Sequence, residues 1–161
     1  SELEQALVLN MEKFLLEMGR GFAFIERQKH LYVGGDDYYI DLVFYNTKLH
    51  SYILIDLKTT KLNNRDIGQR DMYVRMYDDL VKGENDNPTI GILLCADTNN
   101  EVARYSVLHD SDQLFAAKYM TIMPTEEELR KEIERQKYFF QLQQKEKEDT
   151  PRANSTIDEP H

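Results

Sequence analysis

Two neighbouring stretches constrain this chain more than any other part of it: Tyr38-Tyr-Ile-Asp-Leu-Val-Phe-Tyr45 and Tyr52-Ile-Leu-Ile-Asp-Leu-Lys58. Each is a run of β-branched, aromatic and aliphatic residues, the composition of a strand. Each carries one carboxylate in its middle, and the second ends in a lysine two places further on. Desolvating a carboxylate costs several kcal/mol, so a buried strand does not carry one without a partner. Side chains on a strand alternate faces. Tyr39, Asp41, Val43 and Tyr45 therefore share one face of the first run, and Tyr38, Ile40, Leu42 and Phe44 the other. In the second run Tyr52, Leu54, Asp56 and Lys58 share a face. A hairpin turn centred on Lys48-Leu49 sets Asp41 directly opposite Asp56. Cross-strand neighbours have Cβ atoms about 4.5–5.5 Å apart. Two bare carboxylates there repel, and one holds a proton unless a cation sits between them. A hard divalent metal with oxygen ligands is the natural occupant. The residues alone leave a second reading open, a salt bridge of Asp41 or Asp56 with Lys58 at an open sheet end.

The chain has 161 residues, enough for one domain with a real core. Its 41% hydrophobic and 30% charged residues indicate a soluble globular protein with a polar tail. No apolar run approaches the roughly 20 residues of a membrane span, so no membrane partner is expected. A basic-then-apolar leader is absent from the N-terminal residues. The single Cys95 lies in an apolar run and leaves no disulfide framework or cysteine zinc site. A reducing, cytoplasmic setting fits. The net charge of -9 argues against a phosphate-backbone partner. Its distribution softens that objection, because residues 57–75 hold Lys58, Lys61, Arg65, Arg70 and Arg75 against Asp66 and Asp71. The locally basic stretch follows the carboxylate pair directly.

Residues 2–18 predict an amphipathic helix with a stripe of Leu3, Leu7, Met11, Phe14, Leu15 and Leu16, ended by Gly19 and Gly21. Glu17 falls in its last turn, where the helix dipole disfavours a carboxylate; by position alone it is a solvated surface residue. Residues 22–33 predict a strand with Phe22, Phe24, Glu26 and Gln28 on one side, and residues 34–37 a turn. A polar loop, 59–64, precedes a helix over 65–81 whose stripe is Gln69, Met72, Tyr73, Met76 and Leu80. Gln69, read this way, is a cap or a satisfied neighbour of the core. The apolar run at 89–95 predicts a central strand. Residues 99–105 are read as a short helix and 114–123 as a last strand. Thr125 caps a strongly charged helix to about residue 147, and residues 148–161 read as a disordered tail. The expected division is a main domain over 1–124, the charged helix 125–147 and the tail. The order helix, three strands, helix, strand predicts an α/β domain with a mixed central sheet.

A carboxylate pair with Asp-x-Lys on one face is a compact hydrolytic set. The carboxylates suit Mg²⁺, which activates water and neutralises phosphate charge, and the lysine orients or helps deprotonate the attacking water. Asp-x-Lys alone is a weak motif; the opposed carboxylates on two apolar strands give it weight.

Further residues carry a family resemblance. Phe14-Leu-Leu-Glu-Met-Gly-Arg-Gly-Phe-Ala-Phe24, Arg27-Gln28, Gly34-Gly-Asp-Asp-Tyr-Tyr-Ile-Asp-Leu-Val-Phe-Tyr45, Ile55-Asp-Leu-Lys-Thr59, Gly68-Gln69 and Pro88-Thr-Ile-Gly-Ile-Leu-Leu-Cys95 occur in order. The chain resembles, over about residues 10–135, the YhcG-type PDDEXK nuclease domains of bacteria, in the PD-(D/E)xK, restriction-endonuclease-like superfamily. The resemblance implies an αβββαβ core, to which the charged helix read above adds a C-terminal element. It implies Asp41 and Asp56 as metal ligands, the Leu57 carbonyl as a third, and Lys58 as the catalytic lysine. It implies Glu17 as a first-helix acid at the metal or its water, and Gln69 as a second-helix glutamine near the site. The cofactor implied is Mg²⁺ or Mn²⁺, and the partner nucleic acid, DNA above all. Two departures stand out: Ile40 replaces the usual proline before the first aspartate, and Asp56 stands where Glu-x-Lys is common. The N-terminal helical domain usual in the family is missing here, so a fragment of a longer bacterial protein is expected. The rival expectation is a catalytically inactive nuclease-fold module for binding or assembly. In that case the C-terminal helix, with Tyr138, Phe139, Phe140 and Leu142, packs on a partner or a second copy.

Overall fold

The structure is a computed structural model, and it describes residues 1–97, the backbone of 100–106, and 121–149. The elements run α1 (Glu2–Glu17), β1 (Phe22–Val33), β2 (Asp36–Asn46), β3 (Ser51–Lys58), α2 (Asn64–Met76), a π-helical turn (Tyr77–Val81), β4 (Ile90–Asp97), β5 (Asn100–Ser106) and α3 (Glu126–Asp149). One five-stranded sheet has the order β1-β2-β3-β4-β5. β1, β2 and β3 form an antiparallel meander, β4 lies parallel to β3, and β5 is antiparallel to β4. This mixed α/β sheet with its flanking helices is the restriction-endonuclease-like fold, and the expected C-terminal helix is present.

Local chemistry explains the elements. Gly34 and Gly35 have φ of 60° and 86°, the left-handed pair that a two-residue hairpin turn needs, and they join Val33 to Asp36 in register. Residues 47–50 close the second hairpin, in the register expected from its turn: Leu42 faces Ile55 and Tyr45 faces Tyr52. Asn63 and Asp66 form a reciprocal capping box at the start of α2. Thr125 Oγ1 accepts from the Glu128 N–H, and the Glu128 carboxylate from the Thr125 N–H, which starts α3 as its sequence predicts.

One face of the sheet packs on α1 and α3: Leu7, Met11 and Leu15 meet Leu42, Phe44, Ile53, Ile55 and Leu57, with Leu129 and Ile133 closing the layer. The other face packs on α2, where Tyr73, Val74 and Tyr77 meet Ile40, Val43 and Leu54. Sandwiched between both layers, β4 is buried from Ile90 to Ala96, which is why its sequence is a continuous apolar run. α2 approaches it closely at Gly91, where a Cβ would sit 2.7 Å from Val74 Cγ2 and 3.0 Å from Arg70 Cγ. Gly91→Ala is therefore expected to push α2 off the sheet and to cost roughly 1–3 kcal/mol, read as a lower denaturant midpoint. An unchanged midpoint would show that α2 yields without loss.

Four expectations need correction. The buried face of α2 is Arg70, Tyr73, Val74 and Tyr77; Leu80 is 76% exposed. The α-helix gives way to a wider turn at Tyr77, closed by the Lys82 N–H on the Tyr77 carbonyl at 2.8 Å, and this rotates Leu80 away from the sheet. Residues 100–106 are a strand paired with β4, where sheet pairing overrides a weak helical pattern. β1 does not alternate regularly: its register shifts between Phe24 and Glu26, a bulge that leaves Phe22 and Phe24 on Phe44 but puts Glu26 opposite Val43. β2 also breaks its alternation, since Ile40 packs with Tyr73 while Leu42 packs with α1. The expected strand at 114–123 lies outside the described residues up to 120, and 121–123 form a turn. Of the expected tail, 148 and 149 belong to α3 and the rest is outside the described residues. α3 packs on its own domain through its first half, while Tyr138, Phe139 and Leu142 are exposed. Among the described residues no helix is long and apolar enough to cross a membrane.

Candidate active site

The β2–β3 ladder ends at the Leu42–Ile55 rung. The next pair is Asp41 and Asp56, and here the carboxylates replace the backbone rungs. Asp56 Oδ1 accepts the Asp41 N–H at 3.1 Å, and Asp41 Oδ2 accepts the Leu57 N–H at 2.8 Å. The two strands thus open around two acids, each tied to the main chain of the other strand. The remaining Asp41 oxygen, Oδ1, accepts from Gln28 Nε2 at 2.7 Å.

The electrostatics follow from this crowding. Burial, then the charge of Asp41, pushes the Asp56 carboxyl up to about 7. Asp41 is also raised, by burial first; the Leu57 N–H, the Gln28 amide and Lys58 oppose the shift, while the charge of Glu4 adds to it. Tyr73, buried under the pair on α2, is raised by burial and then by the charges of Asp56 and Asp41. Without a cation between them, the two acids hold a shared negative charge against both burial and mutual repulsion. Their oxygens suit a hard divalent ion. Leu57 aims its N–H at Asp41, and in a strand the carbonyl of the same residue points to the same side, so it adds a third oxygen in that direction. Among the described residues no group of three or more His, Cys, Asp or Glu converges on one point, so this set of two carboxylates and a main-chain oxygen is lean.

Lys58 ends β3, with Nζ 3.7 Å from Asp66 Oδ1. The other Asp66 oxygen accepts the Asn63 N–H, so the capping box that starts α2 also holds the lysine beside the acids. Asp66, Gln69 and Tyr73 are spaced three and four apart on α2, and such residues share a helix face. Asp66 meets Lys58, and Tyr73 senses both aspartates; half-buried Gln69 lies between them, on the side of the site.

Glu17 is not brought to this centre. It ends α1, is paired weakly with Lys13 at 4.0 Å on the surface, and lines a separate groove with Arg135 and Phe139 of α3. α1 runs with its N-terminus at the acids, and at about 1.5 Å per residue Glu17 lies roughly 20 Å from Glu4 along the axis. Glu4 is the first-helix acid that bears on Asp41. It lines a groove of about 440 Å³ with Ser1, Gln5, Arg27, Gln28 and Asp41. Glu4, Gln28, Asp66 and Tyr73 escaped the sequence reading. Asn63-x-x-Asp66 was a legible capping box, but nothing local joins it to Lys58, and the β1 bulge conceals the pairing of Gln28 with Asp41. The basic stretch is partly self-neutralised by the Lys58–Asp66 and Arg70–Asp71 pairs; Lys61, Arg65 and Arg75 are exposed.

An αβββαβ core with an aspartate at the end of one hairpin strand and Asp-x-Lys on the next defines a PD-(D/E)xK nuclease domain. The sequence model of the YhcG PDDEXK nuclease domain matches residues 1–134, and the chain belongs to that family. It is 32% identical over 135 residues to the "Putative nuclease YhcG" of Escherichia coli (strain K12), an alignment covering 84% of this chain and 36% of the relative. The chain thus spans about a third of the length of that curated relative. The crystal structure of a repair endonuclease from Pyrococcus abyssi aligns over 60% of this chain and 38% of its own, with 23% identity and a TM-score of 0.43.

Proposed function

We propose that this domain hydrolyses phosphodiester bonds of nucleic acid, DNA above all, with a divalent cation, Mg²⁺ or Mn²⁺, held by Asp41, Asp56 and the Leu57 carbonyl. The observation that carries the reading is the pairing of buried Asp56 with half-buried Asp41, whose mutual repulsion a cation would relieve. When bound, such an ion lowers the pKa of a water and offsets charge on the phosphate. The chain's own residues supply the rest. Lys58 Nζ orients the attacking water and helps take its proton, with Asp66 positioning it. Gln69 lines the approach from α2, and Lys61, Arg65 and Arg75 offer cations to the flanking phosphates.

Titration calorimetry with Mn²⁺ and Mg²⁺, beside a plasmid-nicking assay, tests this. Binding is expected in the wild type and lost in Asp41→Ala and Asp56→Ala with the fold intact. Unchanged binding in both variants would sink the reading. Binding without nicking of any nucleic acid would instead favour a nuclease-fold binding module.

A further inference from the structure

We infer that Gln28 is a positioning residue for the Asp41–Asp56 site, an inference that rests on the proposed role of those acids. Gln28 lies within β1, yet its φ is 54°. A left-handed backbone is unfavourable for a residue with a side chain, and inside a strand it persists only where the surroundings enforce it. The residues on either side remain in register, Arg27 with Leu42 and Lys29 with Ile40, so the irregularity is confined to the residue facing Asp41. It coincides with the break in β2, where Ile40 packs towards α2 and Leu42 towards α1. Both strands therefore switch faces at the Gln28–Asp41 position. The switch brings Arg27, Gln28 and Asp41 together in the groove under α1.

The consequence is a fully oriented carboxylate. The Leu57 N–H fixes Asp41 Oδ2 and the Gln28 amide fixes Oδ1, at 2.8 and 2.7 Å. With only the Leu57 bond the carboxylate could swing about its Cβ–Cγ axis; with both it is held facing the opening between β2 and β3. Groups that orient a ligand in this way change metal affinity about 10–100-fold when removed. Gln28 touches neither substrate nor ion in this scheme and acts through Asp41.

Two variants separate the amide from the backbone. Gln28→Gly keeps the left-handed turn without strain and deletes the donor; Gln28→Met keeps the length and deletes only the donor. Tm, Mn²⁺ affinity by calorimetry and the side-chain amide resonances of the metal-free protein are the readouts. Gln28→Gly is expected to melt no lower than the wild type, yet both variants bind Mn²⁺ about tenfold more weakly. In the metal-free wild type one Gln28 amide proton is expected downfield, returning to the position of free amides in Asp41→Ala. Wild-type Mn²⁺ affinity in Gln28→Gly, or a Gln28 amide indifferent to Asp41→Ala, would overturn the role. A wild-type chain that takes up no Mn²⁺ would instead refute the metal reading, and the amide resonance would still decide whether Gln28 holds Asp41.

Discussion

Without divalent cation, the protein is expected to lose stability as pH rises from 5 to 8, and Asp56→Asn is expected to abolish most of that loss. The folded Asp56 carboxyl sits at about 7 against an ordinary 3.8. Between those values the folded state binds the proton that the unfolded chain has released. Stability is therefore greatest below that window and falls as pH climbs to about 7, then levels off. At ~1.4 kcal/mol per pH unit, the interval from 5 to 7 costs roughly 3 kcal/mol. Asp41, raised as well, acts with the same sign. Asp86 and Glu127, held low by Tyr45 and Arg130, act with the opposite sign and below pH 5, outside this interval. Urea midpoints at pH 5, 6, 7 and 8 for wild type and variant give the comparison. At pH 8 the variant should be the more stable, and millimolar Mn²⁺ should raise the wild type alone. Parallel pH curves for the two proteins would mean that Asp56 ionises freely in the fold.

The second large effect concerns Lys58. Lys58→Ala is expected to lower nicking by about 10²–10⁴-fold while leaving Mn²⁺ affinity within a few-fold of wild type, because the lysine sits beside the acids and does not bridge them. Asp66→Asn, which loosens the lysine's anchor without removing it, should fall between. Glu17→Gln should cleave like the wild type, since that carboxylate faces the α3 groove. Single-turnover nicking rates on one plasmid substrate distinguish these. A Lys58→Ala protein as active as wild type would place the chemistry elsewhere in the chain.

How far the sequence led depended on the range of the interactions. The hairpin of β2 and β3 and the facing of Asp41 by Asp56 were legible, because a short turn sets the register and a period of two sets the faces. The boundaries of α1 and the capping of α3 by Thr125 were legible for the same reason: caps and apolar stripes are written within a few residues. The raised pKa of Asp56 followed qualitatively from setting two carboxylates side by side on apolar strands. What was not legible were departures from period. A bulge after Phe24, the left-handed Gln28 and the π-helical turn at Tyr77 each shift the alternation by one residue, and no local pattern announces them.

The sequence by itself thus determined the strand pair, its two acids and the lysine, since these lie within 18 residues of one another along the chain and need only a hairpin to meet. Only the tertiary structure decided which distant groups join them. α1 crosses the sheet with its N-terminus at the acids, so Glu4 and not Glu17 bears on Asp41. α2 lands on Gly91, which seats Asp66 against Lys58 and Tyr73 under the aspartates. Those choices depend on how helices pack on a sheet, an interaction that sums many side chains far apart in sequence.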